Sequence, residues 1–244
     1  MQAFRKSWGE WEGKRELSRG LFHCSPPLLA IILFQILRTP RDMGYGLCLT
    51  GYWLLTLDIL RAYWLDPIMK NGLDSEQALA WFDKYLLLGW LHRKFYHRLY
   101  RDKEKGKVSS LVWVILGYSV SYIMFSDGIA VLAVSYMAAD PAAKYIGMKA
   151  PSSRRFRRGP ATGKSWDGCT AGFITCIGIS ILIWNIDLCL TEPLFIDFSR
   201  YQYFTMSLIG SFTAVVFEAI SGKKDNFVMP VSAAIAMWLV TLTL

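Results

Sequence analysis

The chain has 244 residues, of which 53% are hydrophobic and 19% charged, and its formal net charge is +8. Globular domains average roughly 45–50% apolar and about 25% charged, so an ordinary soluble domain, a disordered chain and a disulfide scaffold are all excluded. Charges gather in a few stretches between long uncharged runs. Because a membrane-spanning helix needs about 20 apolar residues, this pattern predicts a single membrane-embedded, all-α domain over 1–244. Cys24, Cys48, Cys169, Cys176 and Cys189 form no Cys-x-x-Cys pair, and four of them fall inside apolar runs. They read as reduced packing residues and say nothing about metal.

Residues 1–20 carry Arg5, Lys6, Glu10, Glu12, Lys14, Arg15 and Glu16 and are expected to form a cytosolic amphipathic segment. No small-residue cleavage pattern follows the first apolar run, so a removable signal peptide is not expected. The predicted spans are 21–37, 43–60, 108–125, 129–147, 169–190, 203–220 and 227–244. The shorter stretch 78–91 holds Asp83 and Lys84 and reads as an interfacial helix within a cytosolic connection over 61–107. Charge supports that count of about seven transmembrane helices. The stretch 92–107 holds Arg93, Lys94, Arg98, Arg101, Lys103, Lys105 and Lys107, and 144–167 holds Lys144, Lys149, Arg154, Arg155, Arg157, Arg158 and Lys164. Cytosolic loops carry the excess of Lys and Arg. If 78–91 does not cross, the N-terminus, 61–107, 148–168 and 221–226 share one side with nearly all the basic residues; if it crosses, the two basic stretches are split. Arg38 and Arg41, in a short outer turn, are a minor exception.

Ionisable groups inside a span are expensive and point to function. Asp140 stands beside Pro141 in Ala138-Ala139-Asp140-Pro141-Ala142-Ala143-Lys144. It can pair with Lys144 one turn on, or it can hold a metal or phosphate near the cytosolic end, since Mg²⁺ takes one or two carboxylates plus substrate phosphates. The basic loop through Arg154, Arg155, Arg157 and Arg158 fits a topological or anionic-lipid role. Its tail, Gly159 to Gly163-Lys164-Ser165, has one residue too few for a phosphate-binding P-loop and lacks the surrounding strand and helix pattern. A glycine-punctuated turn leading into the next span still presents a helix start that favours anions. Glu218 ends the sixth span, and Asp225-Asn226 stand in the short loop before Pro230. Glu16, Arg19 and His23 share a helical face, whereas His92 and His97 do not and are given no metal role. Asp58 and Asp187 also fall in apolar runs. With the topology set by loop charge, His23, Asp140, Lys164, Glu218 and Asp225 all come to the cytosolic ends of their spans. Carboxylates, a lysine and a helix start on one face are the parts that neutralise a nucleotide triphosphate through Mg²⁺.

In these residues the chain resembles the CTP-dependent polyprenol, phytol and diacylglycerol kinases, a family related to the phosphatidate cytidylyltransferases. The family's Glu-x-x-Arg-x-x-x-His is matched by Glu16, Arg19 and His23, its Asp-x-x-Ala-x-x-x-Gly by Asp140, Ala143 and Gly147, and its last pattern by Glu218, Asp225, Asn226 and Pro230. Its Lys-Ser-x-Glu-Gly resembles Lys164, Ser165, Asp167 and Gly168, with Asp for Glu, and Arg101 and Glu104 resemble its Arg-x-x-Glu. Ala139 stands where the family often has Gly. The resemblance covers 16–23 and about 101–230. It implies transfer of the CTP γ-phosphate to a lipid alcohol (polyprenol or dolichol, a phytol-like alcohol, or diacylglycerol) by positioning and charge neutralisation. Asp140 and Asp225 would serve Mg²⁺ or activate the hydroxyl, with Glu218 and Asn226 supporting the metal site. Lys144, Lys164, Ser165 and the Arg154, Arg155, Arg157 and Arg158 cluster would serve the phosphates, while Glu16, Arg19 and His23 would close the site, His23 as a proton acceptor.

Two alternatives belong to other classes. A phosphatidate cytidylyltransferase would attack the α-phosphate, but the long Gly- and Asp-rich ending typical of those enzymes has no counterpart after Pro230. A channel or transporter would line a path with Asp58, Asp140 and Asp187, yet no paired broken helices in two halves support it. The expected partners are nucleotide, lipid alcohol and membrane lipids, with no nucleic acid, and Gly168 and Gly172 offer a small-residue contact through which two copies could pair as a homodimer. The membrane would be a prokaryotic plasma membrane or the endoplasmic reticulum.

Overall fold

The computed structural model describes residues 40–60, 62–63, 108, 110–125, 127–157, 159–187, 194–195 and 197–244. The expected span 21–37, the segment 78–91, the basic stretch 92–107 up to Lys107, and the candidate residues Glu16, Arg19, His23 and Arg158 lie outside the described residues. The chain divides into two compact units, Met1–Arg19 with Leu49–Val112, and Gly20–Cys48 with Trp113–Leu244.

In the first unit the described part is chiefly the Leu49–Leu60 portion of α1 (Pro40–Leu60). Gly51, Asp58 and Ala62 are buried at helical spacing, while Leu49, Tyr52, Trp53 and Tyr63 are exposed.

The second unit follows the apolar runs. It holds α2 (Ser110–Met124) from Trp113 onward, α3 (Asp127–Ser135), a 3₁₀ turn Tyr136–Ala138, α4 (Ala139–Lys149), a 3₁₀ turn Ser152–Arg154, α5 (Trp166–Asp187), α6 (Arg200–Ile220), a 3₁₀ turn Gly222–Lys224 and α7 (Asp225–Thr241). Among the described residues no strand forms, only an isolated antiparallel bridge between Arg155 and Ser165. Two helices, α5 with 22 residues and α6 with 21, are long and apolar enough to cross a membrane; at about 1.5 Å per residue each matches a hydrocarbon core of about 30 Å.

The expected single span 129–147 is divided. Pro141 explains where: its ring clashes with the carbonyl four residues back, at Met137, and it has no N–H to bond there. The chain tightens into the 3₁₀ turn around Met137 and restarts as α4, with Pro141 in the first turn, where an N–H is not needed. α6 begins on a capping box in which Ser199 and Gln202 satisfy each other's backbone N–H groups.

On α5 the buried residues are Gly168, Gly172, Cys176, Ser180, Ile183 and Asp187, one face at spacings of four and three, while Ile174, Ile181 and Leu182 are exposed. α6 likewise exposes Phe204, Leu208 and Phe212. Such apolar faces would be a liability in water and are what a bilayer solvates. Hydroxyls in these runs are mostly absorbed locally: Ser121 donates to Gly117 O at 2.9 Å, Ser135 to Val131 O at 2.6 Å and Thr175 to Ala171 O at 2.8 Å. Asp187 accepts the N–H groups of Leu194 and, at 3.3 Å, Phe195. That pairing holds Phe195 against Gly128, where a Cβ would come within 2.6 Å of the Phe195 ring, which gives Asp187 a structural role.

Candidate functional site

α4 and the start of α5 are bound together by missing side chains. A Cβ on Gly168 would sit 2.8 Å from Ala143 O and 3.2 Å from Gly147 Cα, and one on Gly172 would sit 3.3 Å from Ala143 Cβ. Ala143, Gly147 and Gly168 therefore let two backbones approach closely, which brings Asp140, in the first turn of α4, toward the residues before α5. The Gly168 and Gly172 contact expected between two copies is made to α4 of the same chain.

The residues before α5 form a small hairpin. Phe156 N–H donates to Lys164 O at 2.9 Å and Gly163 N–H to Phe156 O at 3.1 Å, and the turn closes through Gly159 and Gly163 at φ 85° and 90°, a region that favours glycine. The Ser165 hydroxyl is buried and accepts the Gly168 N–H at 3.0 Å, so it caps α5. Phe156 stacks on Trp166 with ring centroids 4.6 Å apart.

From this base Lys164 reaches across to α6 and α7. Its Nζ donates to Glu218 Oε1 and lies 4.0 Å from Asp225 Oδ2. Glu218 is buried near the end of α6, and Asp225 opens α7 with its Oδ1 accepting the Asn226 N–H at 2.9 Å. Burial opposes the charge on Lys164, but the carboxylates of Glu218, Asp225 and Asp140 outweigh it and hold the ammonium above the usual lysine range. Asp225 is pushed above the usual carboxylate range by burial and then by the Asp140 charge, against the opposing pull of Lys164 and backbone N–H groups. The four groups form one electrostatic unit drawn from three separate parts of the sequence.

Other candidates stand elsewhere. Arg154 pairs with Asp167 at 3.0 Å. The Arg155 guanidinium spans the end of α4, its Nη2 lying 3.4, 3.1 and 3.5 Å from the carbonyls of Gly147, Met148 and Ala150, the use of a cation at a helix C-terminus. Arg157 is exposed, Lys144 is half-buried on α4 and Asn226 is buried. Among the described residues no group of three or more His, Cys, Asp or Glu is drawn together to hold a metal ion. The donors are hard carboxylate oxygens with a lysine nitrogen at their convergence, a set that fits an ion brought in with phosphates better than a protein-only cage.

Sequence reasoning passed over Tyr136, Ser180, Tyr203 and Ser207, which are buried together below this unit. The signal was the row Tyr203, Ser207, Ser211 and Glu218 along one face of α6.

A mostly helical chain with two apolar helices long enough to cross a membrane joins one lysine to two carboxylates near the ends of those helices. The chain is 23% identical over 248 residues to CTP-dependent diacylglycerol kinase 1 of Eremothecium gossypii, covering 94% of this chain and 68% of that protein. It is 22% identical to the protein of the same name in Schizosaccharomyces pombe, covering 96% and 97%, and 24% identical to that of Saccharomyces cerevisiae, covering 94% and 75%. No family model matches the chain, and no solved structure matches it. Over nearly its whole length the chain is thus similar to proteins named as CTP-dependent lipid kinases.

Proposed function

We propose that this protein transfers the γ-phosphate of CTP to the hydroxyl of a membrane lipid, releasing CDP, and that diacylglycerol is the first acceptor to test among the lipid alcohols. The observation that carries the reading is the joining of Lys164 to Glu218 and Asp225 under the charge of Asp140, in a chain similar over nearly its whole length to proteins named for that reaction. In this reading Lys164 turns from its carboxylates to the β- and γ-phosphates, where its charge matches the oxygens of the transferring group. Asp140 and Asp225 would hold Mg²⁺ brought in with the nucleotide, Glu218 steadies Lys164, and the ion would supply charge neutralisation at the phosphates. An ionised carboxylate of the same set accepts the hydroxyl proton. Arg157 and Lys144 remain candidates for the phosphates, whereas Arg154 and Arg155 act through Asp167 and α4. Glu16, Arg19 and His23 are assigned to the same reaction by the family resemblance alone.

About seven spans and a cytosolic site complete the proposal, supported by the basic loops and by the apolar α5 and α6. The test incubates purified protein with Mg²⁺, diacylglycerol, polyprenol, phytol or phosphatidate, and CTP labelled at the γ or the α position. Label from the γ position in a lipid is the expected result. Label from the α position in lipid would instead identify a cytidylyltransferase, and label in neither would overturn both.

A further inference from the structure

Asp140 lies only four residues beyond Tyr136, and between them stands the 3₁₀ turn Tyr136–Ala138 where the helix is broken. The backbone stays right-handed through this turn, but a 3₁₀ segment inside a helix changes its pitch and direction, so packing must hold the angle at which α4 leaves α3. The packing of α4 on α5 fixes how close the two helices come, through Ala143, Gly147 and Gly168, and those contacts begin seven residues beyond Tyr136. Tyr136 supplies the missing constraint. It is wholly buried, its hydroxyl lies 2.9 Å from Ser180 Oγ on α5 and 3.2 Å from Ser207 O on α6, and its ring lies against Gly210, where a Cβ would be 3.3 Å from Tyr136 Cε2. Ser180 Oγ donates to Cys176 O at 3.0 Å, which leaves the Tyr136 proton to go to Ser180 Oγ or Ser207 O. A hydroxyl buried in so apolar a setting is destabilising unless paired, and here the pairing joins the break to both long helices. α5 follows directly on Lys164, and α6 carries Glu218 eleven residues beyond Ser207.

We propose that Tyr136 is a positioning residue: its hydroxyl, held by Ser180 of α5 and Ser207 of α6, sets the direction of α4 and so the place of Asp140 relative to Lys164 and Glu218. The inference rests on the kinase reading for its effect on turnover and on geometry alone for its effect on α4. Sub-ångström placement matters in phosphoryl transfer, where a misplacement of about 1 Å can lower the rate about a hundredfold.

The test compares the full chain in detergent as wild type, Tyr136→Phe and Tyr203→Phe. Tyr203 is an equally buried control, since its hydroxyl donates to Ser180 O at 2.6 Å yet lies outside the break. Tyr136→Phe keeps the ring and should lower kcat about ten- to a hundredfold while moving KM for CTP less than about threefold, the pattern of a change felt in the transition state. Amide exchange should rise over residues 139–149 and stay unchanged over 205–215. Tyr203→Phe should keep kcat within about threefold of wild type. Unchanged exchange over 139–149 in Tyr136→Phe, or an equal loss of kcat in both variants, overturns the proposal. A wild type that transfers no γ-phosphate sinks the kinase reading instead, and the exchange pattern then decides the positioning role by itself.

Discussion

Replacing Gly168 with Ala sets two known effects against each other, and the structure says which wins. Ala is favoured over Gly by about 1 kcal/mol in a helix interior, an upper bound for Gly168 in the first turn of α5, so propensity alone predicts a somewhat more stable protein. The added Cβ, however, would stand 2.8 Å from Ala143 O, 3.1 Å from Ser165 Oγ and 3.2 Å from Gly147 Cα, against 3.4 Å for ordinary contact. Two of those neighbours are backbone atoms, which cannot swing away, so α4 must retreat by the 0.6 Å shortfall at the carbonyl. Overpacking of this kind costs about 1–3 kcal/mol, which exceeds the propensity gain. The retreat carries Asp140 away from Lys164, and the predicted loss of transfer activity is about ten- to a hundredfold. The control is Gly178→Ala on the same helix, where nothing lies within 4 Å of the new Cβ; it should leave activity unchanged and stability equal or slightly raised. γ-Phosphate transfer and thermal unfolding in detergent read both variants. Gly168→Ala with wild-type activity and a raised melting temperature would refute the account of α4 and α5 packing.

Asp140→Asn should abolish turnover with the thermal unfolding profile retained, and full activity in that variant would remove Asp140 from the site. Lys164→Met should abolish transfer and also destabilise the protein by about 1–3 kcal/mol, because it leaves the buried Glu218 carboxylate without its half-exposed partner; Lys164→Met with Glu218→Gln should regain most of that stability but no activity, as denaturation curves and transfer assays would show. The Asp225 pKa is raised and the ionised form is the one that serves the site, so activity should fall on the acidic side beginning above the usual carboxylate range. The Lys164 pKa is raised, so its ammonium and the stability it contributes persist at neutral pH and disappear only as pH rises through that elevated value. A pH profile of kcat/KM for CTP checks the first and unfolding at alkaline pH the second. Arg155→Ala should be more destabilising than Arg154→Ala, since Arg155 meets three carbonyls at the end of α4 whereas the Arg154 pair is exposed at the surface and such pairs contribute at most about 1 kcal/mol. Equal melting temperatures would contradict this.

The helices from unbroken apolar runs were legible within a few residues: the expected 169–190 and 203–220 appear as Trp166–Asp187 and Arg200–Ile220. The division of 129–147 was less so. A proline marks a helix start or break ambiguously, and only the clash with the carbonyl at Met137 sets the 3₁₀ turn ahead of Asp140. The meeting of Asp140, Lys164, Glu218 and Asp225 was readable because an ionisable residue at the end of an apolar run has few reasons to be there. What Arg154 and Arg155 do was not readable. Loop charge reports the side of a membrane, while the capping of α4 depends on where its last turn ends. Ser165 was expected on phosphate, and its geometry as the cap of α5 emerges only once Gly168 is placed.

The hairpin over Arg155–Ser165 gives the question of membrane orientation a physical handle. Its tip, with Gly159, Pro160 and Thr162, is exposed, and its base is bonded through Phe156 to the backbone of Lys164 itself. Tip and lysine therefore cannot lie on opposite faces of a bilayer. An epitope inserted between Pro160 and Ala161, probed with an impermeant reagent on sealed vesicles, reports directly on which side of the bilayer Lys164 lies and so, on the proposed reading, from which compartment CTP is drawn.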